Sequence, residues 1–330
     1  MKAVGLLNMS KNKKISILIL ISAFVSILDL FIGVGDLKPA DILNLSNLQR
    51  TILFKIRMPE MTTALILGLV LGLAGACMQT ILDNPLASPF TLGVSSAAGF
   101  GASFFLLLGF SINFIPIGAI GFALIAIIFV YLISRRNFAN TSSMILAGIA
   151  VKFFFDSLTS LMQYISTDET LSSIVFWLFG SVSNTKPKEI IILLISFVLS
   201  FIIIIIKDSH KLTALRFGED RARSLGVNVK TLKIKTFIIV SILCSVGVSF
   251  AGVIGFIGVI APHISRKIVG EDQRYYLISS SLVGAILLVI SSGLSKLVKP
   301  GAILPIGIIA SLVGLPLIFI FFFGGKHDWS

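Results

Sequence analysis

Residues 207–235 read KDSHKLTALRFGEDRARSLGVNVKTLKIK, the longest polar interval in a chain that is otherwise largely apolar. Each charged side chain costs about 2.5–3.5 kcal/mol at the centre of a bilayer, so this segment lies outside the hydrocarbon. It carries eight basic and three acidic residues, and such an excess of Lys and Arg is typical of cytoplasmic loops. The segment therefore predicts a cytoplasmic loop at 207–235 with membrane spans on either side of it.

A short helix is predicted inside this loop. Residues 219–225, EDRARSL, have helix-forming composition, two acidic residues in the first turn and Gly226 just beyond the end, which together favour a surface helix with a glycine stop. The loop also carries apolar side chains, which either pack back on the chain or form a socket for another protein: Leu215, Phe217, Ala222 and Leu225.

The composition of the rest of the chain indicates an integral membrane protein. Of its 330 residues 56% are hydrophobic and 13% are charged, with a mean hydropathy of +1.02, well outside the range of soluble domains. The net charge of +12 comes from basic residues between apolar runs, so membrane topology explains it and nucleic-acid binding is discarded. Both cysteines, Cys77 and Cys244, fall in apolar runs and predict no disulfide framework.

Ten apolar windows are candidate spans, which predicts an all-α membrane protein with about ten transmembrane helices and residues 1–330 in one domain. The windows are 15–34, 60–80, 92–110, 114–134, 142–165, 189–206, 236–254, 257–268, 276–295 and 303–323. With the N-terminus inside, the inner segments hold 18 Lys and Arg and the outer segments hold 8. This asymmetry predicts a multi-pass protein of the cytoplasmic (inner) membrane with both termini in the cytoplasm.

Glycine and proline mark packing faces and breaks in the predicted spans. Gly68, Gly72 and Gly75 are spaced by four and three residues, which favours close helix packing. Two proline-containing stretches, 83–89 and 261–263, predict interruptions of the helices.

Two charges are assigned to the interior of a span. Lys152 and Asp156 lie in the fifth window at i, i+4 spacing, so they share a helix face and can neutralise one another. Hydrocarbon would still penalise the pair, so we expect it to face the bundle interior or a water-filled pathway. A pair that lines the transport pathway and a purely structural pair remain alternatives.

Sequence motifs for enzyme chemistry are missing. There is no G-x-x-x-x-G-K-[ST] motif, no HExxH and no Cys/His cluster around the three histidines. The chain is therefore predicted neither to hydrolyse ATP itself nor to bind a metal, and no cofactor is expected. Energy for uphill transport would come from an ion gradient or from another subunit.

Eight stretches in order resemble the permease subunits of binding-protein-dependent ABC importers for ferric siderophores, haem and cobalamin, the FecCD or vitamin-B12-type family. These are Arg57-Met58-Pro59, GLVLGLAGACMQ (68–79), NPLASPFTLGVSSAAGFGA (84–102), Leu146-Ala147-Gly148, Trp177-x-x-Gly180, the loop motif 215–226, GVIGFIGVIAPHISRKIVGEDQR (252–274), and Leu304-Pro305-x-Gly307 with Gly314-x-Pro316.

The resemblance implies a type II importer permease with about ten helices per subunit. Its partners would be a second permease subunit, two ATP-binding ATPase subunits and an extracytoplasmic solute-binding protein. The implied function is uptake of ferric siderophore complexes with ATP hydrolysed by a separate subunit. Import of haem or cobalamin by the same mechanism, or a self-sufficient secondary carrier, are the alternatives.

The resemblance also assigns roles to residues. ATPase coupling falls on Leu215, Gly218, Glu219, Ala222, Leu225 and Gly226. Docking of the binding protein falls on Arg57, with Lys296 substituting for a second family arginine, and the fifth span with Lys152 and Asp156 would border the translocation route. The chain departs from the family pattern at Glu60, Ser292, Lys296 and Ile303, all on the predicted outer side, so its docking surface is expected to differ there.

Overall fold

The computed structural model describes residues 9–33, 35, 37–134, 141–183, 185–297 and 304–323. Within these residues the regular structure is helical, with no β-strand. The two chain ends, 1–8 and 324–330, and Ile303 lie outside the described residues, so the predictions made for them concern residues beyond this description.

The α-helices are numbered in chain order. They are α1 (Lys11–Asp29), α2 (Asn47–Thr51), α3 (Met58–Ile81), α4 (Val94–Leu107), α5 (Ile115–Ser134), α6 (Thr141–Ile165), α7 (Asp168–Leu178), α8 (Pro187–Phe201), α9 (Ser209–Arg216), α10 (Glu219–Ser224), α11 (Val229–Ala251), α12 (Ile257–Val269), α13 (Gln273–Leu297) and α14 (Ile306–Phe323). Wider π-helical turns at Ile52–Arg57 and Ile202–Asp208 join α2 to α3 and α8 to α9, and 3₁₀ turns lie at Pro39–Asn44 and Pro89–Leu92.

Each of the ten apolar windows overlaps one of these helices. In the described part of the chain six helical runs are long and apolar enough to cross a bilayer: Asn47–Ile81, Ile115–Ser134, Thr141–Ile165, Pro187–Arg216, Val229–Ala251 and Gln273–Leu297. Helices Val94–Leu107 and Ile306–Pro316 are apolar but shorter. The all-helical membrane fold is therefore confirmed, whereas the number of ten crossing helices is not.

Helix α3 lies at the centre of the bundle, with α13, α12, α11 and α8 packed around it. Its glycines bring neighbouring backbones close: a Cβ at Gly72 would lie 2.0 Å from the carbonyl oxygen of Ser280, and one at Gly75 would lie 1.8 Å from that of Gly258. Neither position has space for a larger residue, so the small-residue spacing seen in the sequence is a helix-packing face.

The first predicted helix break is present, and the second is displaced. Helix α3 ends at Ile81 and Asp83 adopts a left-handed φ of 43°. The predicted break at 261–263 is wrong, because α12 runs through Pro262, and the chain instead leaves the helical path just before α12, where Phe256 has φ 65°. Proline leaves the carbonyl four residues earlier without its helical donor. That carbonyl belongs to Gly258, which faces Gly75 of α3.

Candidate functional site

The ends of α3 and α13 define two ends of the bundle. At one end Arg216 of α9 pairs with Asp83, just after α3, and with Glu271, just before α13. We call this the basic end, because it carries segment 207–235. At the opposite end Arg57, just before α3, lies beside Lys296 in the last turn of α13, both next to Gly33.

The predicted short helix is present at the basic end as α10. Two glycines with positive φ, Gly218 (103°) and Gly226 (81°), flank it. A Cβ at either glycine would meet nothing within 4 Å, so the backbone conformation, and not crowding, requires glycine there. The helix thus sits between two sharp turns that present it at the surface.

Apolar side chains around α10 divide into two sets. Leu215 and Ala222 are buried against the chain itself, whereas Phe217 and Leu225 are 65% and 67% exposed. The guanidinium of Arg221 lies 5.8 Å from the centre of the Phe217 ring. Two large apolar side chains left exposed on a polar, non-membrane segment are the type of surface that a partner protein covers.

The carboxylate of Glu219, the first residue of α10, forms two ion pairs. One oxygen lies 2.6 Å from Arg223 of the same helix, and the other lies 2.6 Å from the ammonium of Lys233 in α11. Lys233 is only 2% exposed and also donates to the hydroxyl of Thr141, the first residue of α6, at 3.3 Å. Pairing is what permits an ammonium group to be buried so completely.

Further ion pairs fix the neighbouring elements of the basic end. Asp208, at the end of the π-helical turn, pairs with Lys235 of α11 and with Lys211 of α9. In the turn before α13, the hydrogen bond from Arg274 holds the pKa of Asp272 below its usual range. Charges thus attach α9 and the π-helical turn to α11 through Asp208, and to the α12–α13 turn through Arg216.

At the opposite end, Arg57 caps the chain that follows α1. Its guanidinium donates to the carbonyl oxygens of Leu30 at 2.8 Å, Gly33 at 3.2 Å and Gly35 at 2.9 Å. Both glycines have positive φ, 135° and 96°, a conformation that favours glycine. Arg57 is 2% exposed, so it is not the exposed docking contact that the sequence led us to expect.

Lys296 is the centre of a buried ion cluster that joins three helices. Its ammonium lies 2.9 Å from Asp29, the last residue of α1, and 3.6 Å from Glu60 of α3. The three side chains are at most 5% exposed. Glu60, the departure from the family pattern, therefore pairs within the chain with the substituted Lys296.

The predicted pair on the fifth window is formed. Lys152 and Asp156 of α6 lie 2.6 Å apart, with side chains 41% and 42% exposed. The expectation that they face the interior of their own bundle is wrong, because Phe155 occupies that side, 2% exposed, while Phe153 and Phe154 are exposed beside the pair. Within the single chain, the pair lies on an outward face of α6.

Sequence reasoning missed that Asp29, Glu60 and Lys233 are buried and form ion pairs. Asp29 falls within the first apolar window and Glu60 at the edge of the second, so the statement that the spans contain only Lys152 and Asp156 as charges is wrong. A charged residue inside an apolar window was itself the available signal. Nothing local in the sequence marked Lys233 as buried.

Comparison with known proteins identifies relatives over most of the chain. The iron-uptake system permease protein FeuC of Bacillus subtilis is 34% identical, covering 95% of this chain and 98% of that protein. The molybdate import system permease protein MolB of Haemophilus influenzae is 33% identical, covering 84% of this chain and 82% of that protein. A solved structure of an ABC transporter in an inward-facing conformation superposes with a TM-score of 0.85 at 31% identity, covering 95% of this chain and 99% of that chain.

The model of the FecCD transport family matches residues 18–323, nearly the whole chain. The relatives are permease proteins of import systems, and the superposition extends the similarity to the fold. The chain therefore belongs to the FecCD transport family, the permeases of type II ABC importers.

Proposed function

We propose that this permease imports ferric siderophore complexes, with ATP hydrolysed by a separate subunit. The observation that carries the proposal is the ion pair Lys152–Asp156 on the outward face of α6. Two ionised groups on a membrane helix are costly against lipid, so this face needs water or a second subunit against it. A pathway between two permease copies, lined by both charges, suits a polar iron chelate.

The choice of iron is supported by FeuC, which is named for iron uptake and is similar to 95% of this chain. Relatives are also named for other cargoes, molybdate among them. Haem and cobalamin, carried by the same mechanism, are the alternatives from the sequence. The four substrates differ in size and charge, so uptake measurements separate them.

The partners proposed are a second permease subunit, two ATPase subunits and an extracytoplasmic binding protein. We propose that the ATPase docks at the basic end on α10 and its flanking residues, on the exposed Phe217 and Leu225, with the termini and 207–235 in the cytoplasm. Leu215 and Ala222 pack beneath that surface. Gly218 and Gly226 form the turns on either side of α10, and Glu219 holds the helix through its ion pairs.

We propose that the binding protein docks at the opposite end, on a surface shaped by Arg57 and Lys296. Arg57 holds the 30–35 turn and Lys296 joins α1 to α13. The affinity of the binding protein for membranes that carry Arg57→Glu and Lys296→Glu tests this role. Unchanged affinity in folded variants at low salt would remove both residues from docking.

The test of function is uptake of radiolabelled ferric siderophores, haem, cobalamin and molybdate by cells that lack the gene and by cells in which it is restored. We expect restoration to recover ferric siderophore uptake, dependent on the ATPase gene. Recovery of another cargo alone would reject the iron assignment. Uptake that follows an ion gradient and ignores loss of the ATPase would indicate a secondary carrier.

A further inference from the structure

Lys233 lies buried where α10, α11 and α6 meet. It is in the second turn of α11, and its ammonium contacts Glu219 at the start of α10 and Thr141 at the start of α6. One side chain therefore touches polar groups on two other helices. A buried ammonium keeps such contacts because losing them leaves a charge without solvent or partner.

Helix α10 depends on contacts with other elements for its orientation. It has six residues, and isolated helices shorter than about 12–15 residues are marginal in water. The turns at Gly218 and Gly226 on either side have open space around them. The direction of α10 is thus set by what its own side chains touch.

The contact from Glu219 to Lys233 is the strongest candidate for that role. Ala222 of α10 is buried, but its small apolar side chain packs without a directional contact that would orient the helix. Asp220 is 99% exposed and Arg223 pairs within α10. Among the described residues, Glu219 is the α10 side chain that forms an ion pair with another helix.

The second contact of Lys233 connects α10 to the helix with the charged pair. Thr141 begins α6, and Lys152 follows eleven residues later on the same helix, about 17 Å along its axis. A rigid helix transmits displacement of its first turn over that distance. Movement of α10 therefore has a short route, through one ammonium group, to the charged face of α6.

We propose that Lys233 is a positioning residue that couples α10 to α6. It transmits movement of the ATPase-contacting helix to the helix that carries Lys152 and Asp156. This inference rests on the proposed coupling role of α10. It adds a specific residue, buried beneath the proposed docking surface of α10, through which the coupling passes.

The test is a Lys233→Met variant in the complete importer, reconstituted in liposomes with its ATPase and binding protein. We expect the ATPase to co-purify as with wild type, because Phe217 and Leu225 remain exposed. We expect stimulation of ATP hydrolysis by loaded binding protein to fall at least about fivefold, the lower end of typical coupling between sites. Wild-type stimulation in this variant would overturn the proposal.

Lys235→Met is the matched control, since it removes a lysine from the same helix that pairs with Asp208 and not with α10. We expect stimulation of ATP hydrolysis by loaded binding protein in Lys235→Met to stay close to the wild-type level. An equal loss in both variants would overturn the proposal, because general weakening of the basic end would then explain it. Lys233→Arg should recover most of the stimulation, and failure to do so in a folded protein would also contradict the positioning role.

A second variant covers the case in which Lys233→Met does not fold. The double variant Glu219→Gln/Lys233→Met removes both charges and leaves neither buried alone. Lost stimulation in the folded double variant supports the proposal, and full stimulation overturns it. Thr141→Val tests the α6 branch: lowered transport is expected, and wild-type transport would overturn that branch.

Failure of the proposed function has a different signature. If the wild-type importer shows no stimulation by any loaded binding protein, the proposed ATP-driven import is wrong. If the wild type is stimulated and Lys233→Met is stimulated equally, the import function stands and the role of Lys233 is wrong.

Discussion

Replacing Lys296 by Met should strongly destabilise the protein. The change keeps much of the side-chain volume but removes the ammonium that lies 2.9 Å from Asp29 and 3.6 Å from Glu60. Breaking a buried ion pair by removing one partner costs about 3–5 kcal/mol. The expected loss in free energy of unfolding is therefore about 3–5 kcal/mol.

The measurement is reversible unfolding of the purified protein in mixed micelles at pH 7. Asp29→Asn/Lys296→Met removes one charge of each sign and should recover most of the stability. Arg274→Met is the control, because its pair with Asp272 is exposed on the arginine side and should matter by about 0–1 kcal/mol. A loss below about 1 kcal/mol for Lys296→Met, or a double variant no more stable than the single, would refute the reasoning.

Three further outcomes are expected. Gly75→Ala should lower the free energy of unfolding by about 1–3 kcal/mol or more, because its Cβ would lie 1.8 Å from the carbonyl oxygen of Gly258. Gly121→Ala is the control: its Cβ would meet nothing within 4 Å, so it should not destabilise the protein in the same thermal scan. Leu225→Asp should weaken ATPase binding at least about tenfold in a pull-down titration without changing unfolding, since interface anchors are worth about 1–2 kcal/mol or more. Its control is Leu43→Asp, at a residue that is 90% exposed and lies outside segment 207–235. Equal ATPase binding by the two variants would contradict the docking site. Lys152→Met/Asp156→Leu should fold and hydrolyse ATP normally but transport poorly, and full transport would show that the pair is only structural.

Helices and their ends were largely predictable, because they depend on residues close in sequence. Apolar runs long enough for a bilayer located the helices, and the acidic first turn with Gly226 located α10. The Lys152–Asp156 pair was predictable for the same reason, since four residues separate its members. Local spacing did not specify which side of α6 the bundle would cover.

Partners far apart in sequence were not predictable. Asp29 and Lys296 are separated by 267 residues, and no local pattern around either residue indicated the other. The same applies to Gly75 and Gly258, whose backbones approach closely between α3 and α12. Burial of Lys233 likewise depends on α6 and α10 meeting at its side chain. These features arise from tertiary packing, which overrides local preference.

The arginine and lysine assigned to docking illustrate how magnitudes decide a role. To contact a partner directly, Lys296 would have to leave two carboxylates in a site where it is 5% exposed, at a cost of about 3–5 kcal/mol. An exposed ion pair with the partner returns only about 0–1 kcal/mol. Direct contact by Lys296 is therefore unfavourable, and Arg57, which donates to three carbonyl oxygens, is held in a similar way. The binding protein proposed for this end would meet exposed cations nearby, such as Arg50 and Lys55, on a surface whose shape the two buried residues maintain.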